Sequence, residues 1–274
     1  MKISVVIPTF NRKHTLSRSI DSVVLQTSKP HEIIVVDDGS TDGTRNWMSQ
    51  NYPHVKYIYQ KNSGVSSARN NAIKNANGEW IALLDSDDEW LPNKLELQIK
   101  SIMDHPEYSF CHTNEIWIRN GCRVNQMKKH KKYGGSVFEK CLDICRISPS
   151  SSLIKKSLFD DIGYFNESLR VCEDYDLWLR ITAKYHIFFI DKPLIIKYGG
   201  HSDQLSKVAN GIEQFRIQSL ENILFSHHLS KDQKKVARET IIHKLKIYTS
   251  GLSKRNKLKD LEIYKKKIQH WINM

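Results

Sequence analysis

The chain has no run of apolar residues approaching the roughly 18 to 20 that a membrane-spanning helix requires. Its first residues enter a strand pattern directly, without the charged, apolar and small-residue succession of a signal sequence, so the expected location is the cytoplasm. Cysteine is scarce and unpaired in pattern: Cys111, Cys122, Cys141, Cys145 and Cys172 form no CxxC pair, and no histidines stand at zinc-ligand spacing. Reduced thiols are expected. No glycine-rich phosphate loop follows the first apolar run, where Pro8-Thr9-Phe10-Asn11 stands instead, which argues against a nucleotidyltransferase. There is no internal repeat, no low-complexity tract and no nucleic-acid-binding module, so nucleic acid is not an expected partner despite the basic balance. Acidic residues are in deficit, 30 Asp/Glu against 42 Lys/Arg.

What is present suits a globular enzyme. The 274 residues, 39% hydrophobic and 26% charged, are enough for a large core. Over the first ninety residues, strand-like and helix-like stretches alternate as in a parallel α/β sheet. Strands are predicted at Ile3 to Ile7, Ile33 to Val36, Val55 to Tyr59 and Trp80 to Leu84. Helices are predicted after the first, around Trp47 and over Ser66 to Asn75. A fourth helix follows Pro92 and stops at Pro106. Beyond it the pattern gives a strand over Ser109 to Ile118, a helix over Asp174 to Lys184, and short strands at Ile187 to Ile190 and Leu194 to Tyr198. From about Gln204 it reads as helix with a break at Gly251. Each early strand ends in polar residues, and ligands of open α/β sheets bind at that edge, where strand order reverses.

Asp85-Ser86-Asp87-Asp88 is the plainest such end. Carboxylates that cannot stay inside a sheet emerge together at its edge, and crowded oxygens favour a hard cation, Mg²⁺ or Mn²⁺ rather than Zn²⁺. An acidic turn capping the following helix is the alternative. Asp37-Asp38-Gly39-Ser40 ends the second strand, where Asp38 suits an Asx-type turn. Arg69 follows Gly64 and two serines at a loop-to-helix junction that suits a diphosphate, or is a surface arginine. Glu173-Asp174 opens a helix, where acids also complement the helix dipole.

Four segments, Val5-Val6-Ile7-Pro8-Thr9-Phe10-Asn11, Val35-Val36-Asp37-Asp38-Gly39-Ser40-Thr41-Asp42, Asn62-Ser63-Gly64-Val65-Ser66-Ser67-Ala68-Arg69-Asn70 and Leu83-Leu84-Asp85-Ser86-Asp87-Asp88, resemble the family-2 glycosyltransferases in order and spacing. The resemblance covers roughly residues 1 to 200 and implies an α/β protein of GT-A fold. Its central sheet would be mostly parallel, Rossmann-like and flanked by helices, with a helical extension at the C-terminal end. It divides the chain into a glycosyltransferase domain, 1–203, and a basic helical extension, 204–274. The domain itself has a nucleotide-binding half, 1–105, and an acceptor-binding half, 106–203.

The activity implied is inverting transfer of a single sugar from a nucleotide sugar to a glycan or lipid-linked acceptor in cell-surface polysaccharide biosynthesis. UDP is favoured, with dTDP open. Carried over residue by residue, Pro8 and Thr9 would line the base pocket, Asn11 would be a substrate-binding residue, Asp38 would accept the imide proton of the base, and Asn62 would lie nearby. Arg69 would face the diphosphate, Asp85 and Ser86 the sugar or ribose. Asp87, with His201, would hold Mn²⁺ or Mg²⁺. Asp174 would be the base and Glu173 its neighbour in the substrate site, while Asp176 is read as a packing or surface residue. The chain lacks the Gln-x-x-Arg-Trp signature of processive synthases. The rival reading is an inactive nucleotide-sugar-binding protein, against which stand Asp38, Asp85, Asp87 and Asp174, all present.

From Ser230 to Met274 there are 13 Lys/Arg against 4 Asp/Glu, nine of the chain's twelve net positive charges. Leu258, Leu261, Tyr264, Ile268 and Trp271 recur at helical spacing among these lysines. Such a stripe packs on its own domain, self-associates with a second copy, or lies on an anionic membrane surface, which lysine clusters favour.

Overall fold

The computed structural model describes residues 1–200, 211–226 and 229–274. Parallel strands β1 (Ile3–Thr9), β2 (Glu32–Asp37), β3 (Lys56–Tyr59) and β4 (Trp80–Leu83) alternate with α1 (Lys13–Val24), α2 (Thr44–Asn51) and α3 (Val65–Lys74). After β5 (Glu89–Trp90) and α4 (Lys94–Asp104) come β6 (Phe110–Arg119), β7 (Cys122–Val124), α5 (Phe138–Cys141), β8 (Leu153–Lys155), α6 (Ser157–Ile162), α7 (Glu173–Lys184) and β9 (Phe188–Gly199). One sheet runs β3-β2-β1-β4-β8-β6-β9-β5, with β7 beside β6. β8 and β5 run against their neighbours, while β6 and β9 are parallel to each other. Because β1 has β2 on one side and β4 on the other, strand order reverses between β1 and β4, and the crevice at their carboxyl ends is where a ligand of such a sheet lies.

Alternation along the strands builds two cores. Val6, Ile34, Val36, Ile81 and Leu83 face one side, under α3 and α7; Val5, Ile7, Val35, Ala82 and Leu84 face the other, under α1 and α4. A sheet covered on both faces needs apolar residues at every position, which is why these strands read as continuous hydrophobic runs. The short elements β5, β7, β8, α5 and α6 carry too few residues to show a period and were not predicted. The two short strands predicted after α7 are one, β9, whose ladder with β6 shifts register where Asn114 pairs with Pro193. Proline has no N–H to give a ladder, so the irregularity falls there.

The C-terminal residues form α8 (Ile212–Phe225), α9 (Lys231–Lys254) and α10 (Leu258–Asn273). The predicted break at Gly251 does not occur. Thr249 and Leu252, on either side of it, are buried, and their packing outweighs the roughly 1 kcal/mol that an interior glycine costs. The chain turns instead at Asn256, in the left-handed region at φ +53°. Ser230 and Gln233 form a reciprocal capping box at the start of α9, and Gln233 Nε2 also donates to the Ala183 carbonyl, pinning the helix to the end of α7. Trp271, 2% exposed, joins the core that contains Leu220, Ile241 and Leu245, and Tyr264 and Ile268 pack beside it. The part of the stripe carried by these three residues therefore rests on the chain's own domain, while Leu258 stays 70% exposed. Among the described residues no helix is long and apolar enough to cross a membrane.

Candidate active site

The ends of β1 and β2 are tied together by their own polar residues. Pro8 pairs with Val36 inside the sheet, and the Thr9 carbonyl accepts from the Asp38 N–H at 2.9 Å. Asn11, in the left-handed region at φ +52°, donates its N–H to Ser40 Oγ, and its Oδ1 accepts from the Thr41 N–H, both at 2.8 Å. Asp38 is buried, and its carboxylate accepts from Gln60 Nε2 at 2.7 Å and from the N–H groups of Ser63 and Gly64 at 2.9 and 2.8 Å. Asn62 Nδ2 donates to the Asp38 carbonyl at 2.9 Å. Gly39, at φ +87°, is required here, since a Cβ would stand 2.8 Å from the Asn62 nitrogen. Asp38 thus shapes the loop that leads into α3, and Asn62 lies beside it as the sequence suggested. Two buried hydroxyls, those of Thr9 and Ser66, have no hydrogen-bond partner among the described residues. Natural proteins rarely leave such groups unmet without a ligand or water.

After β4 the three aspartates take different directions. Asp85 Oδ1 accepts from Arg69 Nη2 at 2.7 Å. Asp87 forms an ion pair with Arg12, and its carbonyl accepts from Arg18 Nη2 at 2.5 Å. Asp88 turns inward, where Ser150 Oγ and the Tyr198 N–H donate to its two oxygens at 2.6 and 3.1 Å. Burial, with Asp87 close by, pushes the Asp88 carboxyl well above the usual carboxylate range. Ser86 is buried between them.

Arg69 reaches from this cluster to the other half of the domain. Its Nη1 donates to Glu173 Oε1 at 2.6 Å, and its side chain is 4% exposed. The guanidinium is therefore held by two carboxylates, Asp85 and Glu173, and stacked over Phe165 with its carbon 5.1 Å from the ring centre. Burial disfavours its charge, but the two carboxylates outweigh that and raise its pKa. Glu173 is raised by burial, against the pull of Arg69. Asp174, next on α7, is half-buried; its Oδ1 accepts from the Tyr175 N–H at 2.7 Å, and its Oδ2 accepts from the Cys145 thiol at 3.4 Å. Burial first, then Asp174, pushes the Cys145 thiol up and keeps it protonated as a donor. Asp176 is buried and pairs with Arg180 at 2.9 Å, the packing role predicted for it.

Lys197 on β9 completes the constellation. Burial opposes its charge, yet Glu115, Asp88, Asp85 and Asp174 together raise its pKa, and its Nζ donates to Ser148 Oγ at 3.2 Å. It lies within electrostatic reach of both the acids after β4 and the candidate base. Arg12, Arg18, Cys145 and Lys197 were not singled out from the sequence, and Asp88 was read only as part of the acidic run. Lys197 alone carried a usable signal, a charge inside an otherwise apolar strand. His201 lies outside the described residues.

The donor set suits a divalent ion. Asp85 Oδ2 and Asp87 Oδ1 accept no hydrogen bond among the described residues, and both are hard carboxylate oxygens at the mouth of the crevice. Among those residues no group of three His, Cys, Asp or Glu is placed to hold an ion, so the remaining positions would fall to phosphate oxygens and water, as is usual for Mg²⁺.

Known proteins resemble this chain in sequence and in fold. The model of glycosyl transferase family 2 matches residues 4–163. The chain belongs to that family. A UDP-Glc:alpha-D-GlcNAc-diphosphoundecaprenol beta-1,3-glucosyltransferase of Escherichia coli, WfgD, is 35% identical over 192 residues, which are 69% of this chain and 73% of that protein. An uncharacterized glycosyltransferase of Rickettsia felis is 36% identical over 195 residues, 70% of this chain but 32% of that protein, so the family-2 chain described here spans about a third of that relative's length. Among solved structures, S. aureus TarS 1–349 in complex with UDP-GlcNAc superimposes with a TM-score of 0.70 at 22% identity, over 89% of this chain and 72% of that one. The mannosyltransferase PcManGT of Pyrobaculum calidifontis, in complex with GDP-Man and Mn²⁺, gives 0.63 at 16% identity, over 99% and 84%. These likenesses establish the GT-A fold of this family-2 chain.

Proposed function

We propose that this chain transfers a single sugar, with inversion, from a nucleotide sugar, UDP-linked by preference, to a hydroxyl of a glycan or lipid-linked acceptor in cell-surface polysaccharide assembly. The observation that carries the reading is the buried Arg69, which binds Asp85 with one nitrogen and Glu173 with another and so ties the first turn of α7, which carries Asp174, to the strand-end acids. The unmet hydroxyls of Thr9 and Ser66 support a ligand in the nucleotide half. WfgD, by its name, uses UDP-Glc and a diphosphoundecaprenol-linked acceptor, and the TarS complex holds UDP-GlcNAc, which is why UDP and a lipid-linked acceptor are favoured. The work would then be done in the cytoplasm, at the inner face of the membrane.

In the reaction the acceptor oxygen forms its bond to the anomeric carbon as its proton passes to an oxygen of Asp174. The bond from that carbon to the diphosphate oxygen breaks, and the nucleoside diphosphate leaves with the electron pair. Arg12 and Arg18 place positive charge at Asp87, beside the departing phosphates. Asp87, with His201, would hold Mn²⁺ or Mg²⁺, which when bound neutralises charge on the leaving diphosphate, while Asp85 faces the sugar or ribose. Glu173 orients Arg69, and Lys197 adds a buried positive charge near Glu115, Asp88, Asp85 and Asp174.

Asp174→Asn decides the matter: UDP affinity by calorimetry should stay near that of the wild type, while sugar transfer falls by about 10²-fold or more. Near-normal turnover would remove Asp174 from the role.

A further inference from the structure

One stretch of chain, Cys145 to Ser150, meets the candidate base, Lys197 and the acids after β4 in succession. The Cys145 thiol donates to Asp174 Oδ2 at 3.4 Å, and Ser148 Oγ accepts from Lys197 Nζ at 3.2 Å. Ser150 Oγ then accepts from the Asp85 N–H at 3.1 Å and donates to Asp88 Oδ2 at 2.6 Å. Even a fully extended chain would carry Ser150 no more than about 18 Å from Cys145, so Lys197 is held within a short span between Asp174 and Asp85. Ser148 and Ser150 are buried, whereas Asp85, Asp174 and Lys197 each keep some exposed surface. These three side chains therefore stand on the solvent side of one common support.

Lys197 is the member with donors to spare. An ammonium has three N–H groups; Ser148 takes one, and among the described residues Lys197 stands in no ion pair. The nearby acids are engaged elsewhere: Glu115 lies 3.1 Å from Lys132 Nζ, and Asp85 lies 2.7 Å from Arg69. The surrounding charge decides what the spare donors can meet. Asp88 is pushed toward its neutral form, yet Glu115, Asp85, Glu173 and Asp174 still outnumber the cations Lys132, Arg69 and Lys197. A phosphate or carboxylate set among these acids would meet repulsion that one ammonium does not offset. A sugar hydroxyl meets none, since its oxygen accepts from the ammonium while its proton goes to a carboxylate.

We infer that Lys197 binds the sugar being transferred, donating to one of its hydroxyl oxygens between Asp85 and Asp174, and that this sugar is uncharged. The inference rests on the proposed function, with Asp174 as the base, but its test does not need turnover. UDP, UDP-glucose, UDP-N-acetylglucosamine and UDP-glucuronate are titrated calorimetrically, with Mg²⁺ present, into the full chain and into its Lys197→Met and Lys197→Arg variants. Lys197→Met removes the donor. Lys197→Arg keeps a positive charge among the acids, so it guards against a failure to fold, but replaces the compact ammonium by a longer, planar group that does not fit the same place.

UDP should bind all three proteins alike, while UDP-glucose or UDP-N-acetylglucosamine binds each variant about tenfold or more weakly than the wild type, as loss of one hydrogen bond to a charged group would give. UDP-glucuronate should bind the wild type more weakly than the better of those two. Unchanged affinity for both uncharged sugar nucleotides overturns the inference. So does an equal loss for UDP and its sugars, because Lys197 would then serve the diphosphate or the fold. Should Lys197→Met fail to bind UDP through misfolding, Lys197→Arg decides by the same comparison. Preference of the wild type for UDP-glucuronate, lost in the variants, overturns the uncharged sugar. Failure of the wild type to bind UDP at all would overturn the proposed function, and this inference with it.

Discussion

Arg69 and Glu173, 104 positions apart, meet at 2.6 Å, and the same guanidinium holds Asp85 at 2.7 Å. The pairing joins α3 to the first turn of α7, and the guanidinium is nearly shut off from water. Removing the cation leaves two carboxylates facing each other in a low-dielectric site. Arg69→Met should therefore destabilise the fold by about 3 to 5 kcal/mol in urea unfolding, the cost typical of stranding one partner of a buried pair. Adding Glu173→Gln should recover a measurable part of that loss, since it removes one of the stranded charges. A double variant no more stable than Arg69→Met would show that the contact does not carry the coupling.

Among the described residues, the Cys145 thiol is the side chain that donates to Asp174, at 3.4 Å. That contact holds Oδ2 of the candidate base in one direction. Cys145→Ala should lower kcat by about tenfold with UDP affinity unchanged, while Cys145→Ser, which keeps a donor, should stay near the wild-type rate. Equal rates in all three proteins would mean that Cys145 serves packing alone.

The parallel half of the fold was legible because its strands are buried on both faces and end in acids or turns, so burial and chemistry wrote the same boundaries. Pro8, Thr9, Asp38, Asp85 and Asp174 fall at or beside strand ends or a helix start, as their positions in the pattern implied, and Asn62 lies in the loop between β3 and α3. The contacts across the domain were not legible. Nothing local says that Arg69 would meet Glu173, that Ser150 would bridge the Asp85 N–H and the Asp88 carboxyl, or that the Cys145 thiol would reach Asp174. Each depends on how β6, β8 and β9 extend the sheet, and the short strand β8 carries no period of its own. Gly251 misled for a related reason: helix propensity is local, and the packing that overrides it is not.

Lys94 is fully buried at the start of α4, its Nζ 2.7 Å from Gln98 Oε1 and 3.8 Å from the centre of the Trp90 ring. No carboxylate stands among these contacts. Burial pushes its pKa down from 10.5 to about 7, with the Cys111 thiol acting weakly the other way. Below about pH 7 both the folded and the unfolded chain hold the proton, and the fold bears the full cost of the buried charge. Between about 7 and 10.5 the unfolded chain binds a proton that the folded chain has released, so this group makes stability rise with pH, by at most about 1.4 kcal/mol per unit. Lys94→Met keeps the length of the side chain and removes the titration. Unfolding free energies measured by urea at intervals across that window should climb in the wild type and run flatter in the variant. The slope is the readout, because the variant also deprives Gln98 Oε1 of its donor and so changes the absolute stability for a separate reason. Identical slopes in the two proteins would mean that Lys94 keeps its proton inside the fold throughout the window.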